Sequence, residues 1–164
     1  SALREDPDIV LVGELRDLET ISLALTAAEM GVLVFGTLHT NSAAKTIDRI
    51  IDVFPSEQQD QVRSQLSQSL RGIVAQQLLK RADGSGRLAA LEVLICYEGL
   101  RNLIREGKTA QIASFILMGK DEGMQTLDAH LVDLLQKGAI SLPEALSRAH
   151  DLTVFKRAGF QVPG

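Results

Sequence analysis

A chain of 164 residues, 45% hydrophobic and 23% charged, is long enough to bury a sizeable core and has the balance of an ordinary folded domain. A net charge of −4 leaves no electrostatic footprint for general nucleic-acid binding. The single cysteine, Cys96, rules out a disulfide framework and fits a reducing compartment. No apolar run approaches the roughly 20 residues that span a bilayer. Ser1 to Asp8 carries no signal-peptide apolar region, so the expected location is cytoplasmic. Ser1 to Asp6 reads as the tail of a helix running into Pro7 and a core strand, which points to a fragment of a longer protein.

Ile9 to Val12 form a continuous apolar run ending in Gly13-Glu14, the pattern of a parallel strand buried on both faces. Leu18, Ile21, Leu25 and Ala28 then recur at helical spacing, with Asp17 placed to cap the first turn and Gly31 to stop the last. Val32 to Leu38 predict a second buried strand that ends at His39-Thr40. In such strand-helix-strand units ligands bind at the carboxyl ends of the strands, where Glu14 and His39 both lie.

Farther on, Asn41 or Ser42 can cap a helix whose apolar face is Ala43, Ile47, Ile50 and Ile51, ended by Val53-Phe54-Pro55. Ser56 and Gln59 form a capping-box pattern ahead of a helix carrying Val62, Leu66 and Leu70. Ile73 to Leu79 and Leu88 to Ile95, joined by the turn-rich residues 82–86, predict a hairpin on the edge of the sheet. Helices are expected near 98–106, 109–118, 125–137 and 142–150, separated by Gly107, Gly119, Gly123 and Gly138. Ser141 and Glu144 make a second capping box with Pro143 in the first turn. The expected organisation is an α/β core over residues 1–97, a helical subdomain over 98–150 and a loosely held tail over 151–164.

Several residues could carry chemistry. An apolar strand closing in an acid is the Walker B pattern, in which the carboxylate of Glu14 would lie beside Mg²⁺ and the attacking water. The alternative is a solvated glutamate in a strand-to-helix loop. His39, among Thr37, Thr40 and Ser42, could hydrogen-bond a terminal phosphate or rest satisfied by backbone groups. Arg4, Arg16 and Asp17 flank the Glu14 strand, and arginines there either clamp phosphate or form surface ion pairs. In GLRNLIRE, residues 99–106, Leu100, Leu103 and Ile104 share one helical face and Arg101 and Arg105 another. His130 and His150 lack a second ligand at metal spacing. No GxxxxGK[ST] loop occurs, so these residues alone cannot cradle ATP.

Residues 3–55 resemble the secretion ATPases of type IV pili and type II secretion, and among them the pilus retraction ATPases. VGELRD, residues 12–17, is similar to that family's Walker B box, with glycine in place of the usual aspartate. TAAEMGVLVFGTLHTNSA, residues 26–43, is similar to its His box, although Val32 stands where a first histidine usually does. GLRNLIRE resembles the retraction motif AIRNLIRE, with Gly99 and Leu100 as mild departures, and GMQTLD at 123–128 also fits. The absence of a tetracysteine zinc site argues against the extension ATPases.

The resemblance implies the second half of a RecA-like P-loop ATPase core, with parallel strands, an antiparallel hairpin and a C-terminal helical subdomain. It implies a ring-shaped homo-hexamer using ATP and Mg²⁺, with the phosphate-binding loop and acidic box upstream of Ser1. The partners it implies are inner-membrane pilus base proteins and the pilin machinery, reached from the cytoplasmic face of the membrane, and no nucleic acid. Glu14 and His39 would be catalytic, Glu14 also holding Mg²⁺ indirectly. Gly13, Arg4, Arg16 and Thr40 would contact nucleotide, and Arg101, Asn102, Arg105 and Glu106 would couple hydrolysis to motion. The alternatives are a non-enzymatic assembly module, or a related ATPase powering protein export or pilus assembly.

Overall fold

The computed structural model describes residues 7–162, which form two compact units. The first contains β1 (Ile9–Val12), α1 (Leu18–Glu29), β2 (Leu33–Gly36), all but the first residue of α2 (Ala43–Asp52), α3 (Ser56–Ser69) and α4 (Glu98–Arg105). β1 and β2 pair in parallel, from Ile9 opposite Leu33 to Val12 opposite Gly36. The expectation that both strands are buried on two faces does not hold, because Leu11 is 75% and Phe35 54% exposed, with Ile9 and Leu33 exposed beside them. Paired residues of a parallel ladder point the same way, so these four form one face, which is open. α1 packs against β2 and buries Ile21, Leu25 and Ala27, leaving Leu18 exposed and Ala28 half-buried.

Local signals set the helix ends in this unit. Asp17 accepts the Thr20 N–H at 2.9 Å at the start of α1. Gly31, with φ +94°, takes the left-handed turn that follows its end. Ala43, Ile47, Ile50 and Ile51 are all buried on α2, as their spacing predicts. The Ser56–Gln59 capping box does not form. Pro55, at φ −54°, is the cap residue, which places Ser56 inside α3 and lets the Gln59 amide donate to the Phe54 carbonyl at 3.1 Å. α4 packs on α3 and buries Leu100 and Ile104, so this helix joins the first unit and not a helical subdomain beginning at residue 98.

The second unit contains residues 41–43, β3 (Gly72–Lys80), β4 (Arg87–Ile95), all but the first residue of α5 (Ile112–Met118), α6 (Leu127–Gln136), α7 (Leu142–Leu146) and α8 (Leu152–Arg157). β3 and β4 form the expected antiparallel hairpin, from Gly72 opposite Ile95 to Lys80 opposite Arg87. Asp83 shapes its turn by accepting from both the N–H and the hydroxyl of Ser85. The hairpin is a sheet of its own and does not extend β1–β2. It packs on α6 and α7, and Val93 exchanges backbone hydrogen bonds with Gln125, just ahead of α6.

Its core joins Leu79, Ala90, Leu127, Leu131, Ile140, Ala145 and Phe155. The last of these overturns the loose tail, since Phe155 is 0% exposed. The helix expected over 142–150 stops at Leu146, and a further short helix, α8, forms in the segment expected to be tail. Asp128, buried on α6, accepts the N–H groups of His150 at 2.8 Å and Asp151 at 3.0 Å and thereby fixes the entry to α8. Ser141 caps α7 through the Glu144 N–H at 3.3 Å, but the Glu144 carboxylate accepts the Lys80 N–H at 2.9 Å, so this second box is only half closed.

Glu92 is a buried acid that accepts backbone N–H groups on both carboxylate oxygens. One carboxylate oxygen accepts the Ala43 N–H at 2.8 Å and the other the Leu127 N–H at 3.4 Å. A single charge therefore caps the starts of α2 and α6, where the helix dipoles favour it.

Candidate functional site

Because β1 and β2 run parallel, the segments leaving their carboxyl ends emerge side by side. The Leu15 N–H donates to the Thr37 carbonyl at 2.8 Å, and the Thr37 hydroxyl donates to the Gly13 carbonyl. Gly36 allows the close approach, since a Cβ there would lie 2.6 Å from Cδ1 of Leu15. These ties bring Glu14 and His39 together, with His39 Nε2 3.3 Å from Glu14 Oε1. Arg16 adds a fork, Nε to Oε1 at 3.1 Å and Nη2 to Oε2 at 2.7 Å. The site lies at the surface, with the side chains of Glu14, Arg16 and His39 exposed by 32%, 76% and 87%.

The Arg16 hydrogen bonds, followed by the charges of Arg16 and His39, hold the Glu14 carboxyl below the usual carboxylate range. Glu14 in turn raises Arg16 above its ordinary value. Asp17 does not face this cluster as a free acid. Its carboxylate is held low, chiefly by the Thr20 N–H that it caps. The site as folded thus presents an ionised carboxylate with a cation across both oxygens.

The other expected site residues are spread more widely. Arg4 lies outside the described residues. Thr40 shares a 2.7 Å hydrogen bond with the Thr46 hydroxyl. On α4 the two arginines do not form one solvated face. Arg101 Nε is buried with no hydrogen-bond partner among the described residues, whereas Arg105 is exposed and reaches Asn102 Oδ1 at 3.4 Å. Glu106 pairs with Lys108 at 2.6 Å. Burial pushes the Cys96 thiol up to about 12 against the opposing pull of Arg101 and Arg71, which keeps it protonated and unreactive. His130 Nδ1 accepts the Leu91 N–H at 2.9 Å, a structural bond between α6 and β4. Sequence reasoning passed over Glu92. Its only local signal is a lone carboxylate inside the apolar run Leu88 to Ile95.

A family model described as type II/IV secretion system protein matches residues 1–147. The type IV pilus retraction ATPase PilT of Pseudomonas aeruginosa is 61% identical over 149 residues, 91% of this chain and 43% of that protein. A twitching motility protein of Neisseria gonorrhoeae is 59% identical over 148 residues, 90% of this chain and 39% of that protein. The crystal structure of the pilus retraction motor PilT with bound ADP matches with a TM-score of 0.84 at 51% identity, over 95% of this chain and 43% of that one. The chain thus spans about two fifths of the length of these relatives. The ordered motifs at residues 12–17, 26–43 and 99–106 all fall inside the region matched by the family model. On that match, and with Glu14 and His39 in the segments that follow a parallel strand pair, the chain belongs to the type II/IV secretion system protein family.

Proposed function

We propose that this chain is part of a hexameric ATPase that hydrolyses ATP with Mg²⁺ to drive type IV pilus retraction. In this reading the ring works at the cytoplasmic face of the inner membrane, on pilus base proteins and pilin. Among the described residues no helix is long and apolar enough to cross a membrane. The observation that carries the reading is an ionised acid and a histidine converging at two parallel strand ends, in a chain 61% identical to a pilus retraction ATPase.

The chemistry assigns each residue a task. Glu14 orients the attacking water and takes its proton as the water oxygen bonds to the terminal phosphorus and the bond to the bridging oxygen breaks. His39, reaching out from the end of β2, hydrogen-bonds the terminal phosphate. Gly13, with nothing within 4 Å of the position its Cβ would take, leaves the nucleotide side of its backbone open. Thr40 and Arg4 complete the nucleotide contacts. Mg²⁺, when bound, neutralises charge on the phosphates. The carboxylate of Glu14 and the nearby Thr37 hydroxyl are hard oxygen groups suited to its water shell. The 164 residues contain no GxxxxGK[ST] loop, so the activity is assigned to the complete protein, and the isolated chain is read as an assembly module.

The test is complementation of a strain that assembles pili but lacks its retraction ATPase. A full-length protein carrying this sequence is expected to restore twitching. Cells that make the protein at normal level, bear surface pili and still do not twitch would refute the reading.

The motif at residues 99–106 is assigned to coupling. Leu100 and Ile104 account for the packing of α4, while Arg101, Asn102, Arg105 and Glu106 are left for contact with a neighbouring subunit or a pilus-base partner. Exposed charges contribute well under about 1 kcal/mol each to stability. Arg105→Ala, at an exposed charge, is therefore expected to leave a folded hexamer with ATPase within about threefold of the parent and to abolish twitching. Arg101→Ala, which removes a part-buried side chain, is added in a double variant whose fold is checked by a thermal melt. Normal twitching by the double variant would return α4 to a purely structural role.

A further inference from the structure

We propose that Arg16 is a positioning residue, a latch that holds Glu14 away from water until nucleotide binds. The inference rests on the proposed function of Glu14 as the group that accepts a proton from water. In the structure that acceptor is engaged on both sides. The guanidinium fork occupies an in-plane lone pair on each carboxylate oxygen, at 3.1 and 2.7 Å, and His39 Nε2 lies 3.3 Å from Oε1. A carboxylate so paired is a poorer base, because protonation removes the negative charge that holds the guanidinium fork.

Arg16 is built to let go. Its side chain is 76% exposed and crosses only two residues from Glu14, so withdrawal needs no movement of α1 or of the strands. The groups facing Glu14 are Arg16 on its own segment, with Asp17 beside it, and His39 from the end of β2. The Asp17 carboxylate accepts the Thr20 N–H through Oδ1, and its charge also favours the Arg16 cation. Release of the fork leaves His39 as the remaining partner of Glu14 among the described residues. Nucleotide binding thus both brings the water and frees the base, and it spends part of its binding energy in breaking the pair.

The experiment is steady-state ATPase kinetics against pH in a full-length protein that carries this sequence behind a phosphate-binding loop, for the parent, Arg16→Gln, Arg16→Lys and Glu14→Gln. Removing the fork is expected to raise kcat/KM about two- to fivefold, the equivalent of one exposed ion pair, with kcat unchanged. It should also move the acid limb of kcat/KM to higher pH, because Arg16 no longer holds the Glu14 carboxyl low in the free enzyme. The acid limb of kcat should stay in place, since the latch is already open in the bound state. Lysine keeps the charge without the fork and should fall between parent and Gln. A tenfold rise in KM with a fall in kcat would overturn the latch in favour of a phosphate clamp, and identical profiles for parent and Arg16→Gln would overturn it in favour of an idle surface pair. Glu14→Gln separates the two levels of the argument. If that variant keeps turnover, the reading of the site itself fails; if it loses turnover while Arg16→Gln changes nothing, only the latch fails.

Discussion

Glu14→Gln, made in the full-length protein, is expected to keep nucleotide binding and lose turnover by about 10²–10⁴-fold, the range for removal of a general base. The swap is nearly isosteric. It preserves the backbone ties of the site, since the Leu15–Thr37 and Thr37–Gly13 bonds do not involve the side chain. What it removes is the negative charge. The amide keeps one oxygen for Arg16 but cannot take a proton from water. Glu14 lies in an exposed ion pair, so a large loss of turnover cannot be traced to unfolding. The check is steady-state ATPase alongside equilibrium binding of a fluorescent nucleotide and a thermal melt. Turnover within a few-fold of the parent, with binding and melting unchanged, would show that Glu14 is a solvated strand-end residue after all.

Phe155→Ala is expected to destabilise the protein by about 3–5 kcal/mol, the range for emptying a buried aromatic site. Against a usual total of about 5–15 kcal/mol, that is a large share. Phe155 is fully buried in the cluster of Leu79, Leu131, Ile140 and Ala145, which belong to β3, α6, the following loop and α7. Truncation leaves a cavity bordered by four separate segments, none of which can collapse into it without moving the others. Leu152, three residues earlier on the same short helix, is 42% exposed and serves as the control, because its replacement by alanine should cost far less. Urea unfolding of both variants measures the difference. Equal midpoints would mean that the segment after Asp151 is only loosely held. The structure explains why this helix is hard to read in advance. α8 spans only Leu152–Arg157, too short for a periodic pattern, and its anchor is the Asp128 carboxylate of another helix.

What the sequence determined by itself is local. The Asp17 and Ser141 caps, the left-handed turn at Gly31, the apolar face of α2 and the pairing of the hairpin all involve groups close together in the chain or a repeat within one element. Glu14 and His39 were legible as strand-end residues for the same reason: an apolar run followed by a polar residue marks its own boundary. The tertiary structure decided the rest. Nothing near Glu92 announces that it caps Ala43, 49 residues away, and Leu127, 35 residues away, because the carboxylate gains those partners only when three distant segments meet. A run such as Ile9 to Val12 reads the same whether one face is covered or two, and only packing leaves Leu11 and Phe35 in the open. The separate hairpin sheet and the place of α4 beside α3 likewise follow from which apolar faces meet. The Arg16 fork is close in sequence, yet it forms because the Leu15–Thr37 and Thr37–Gly13 bonds set the backbone between the two side chains. Backbone preferences act within a few residues and are written locally; side-chain partners are set by chain closure, which no short stretch encodes.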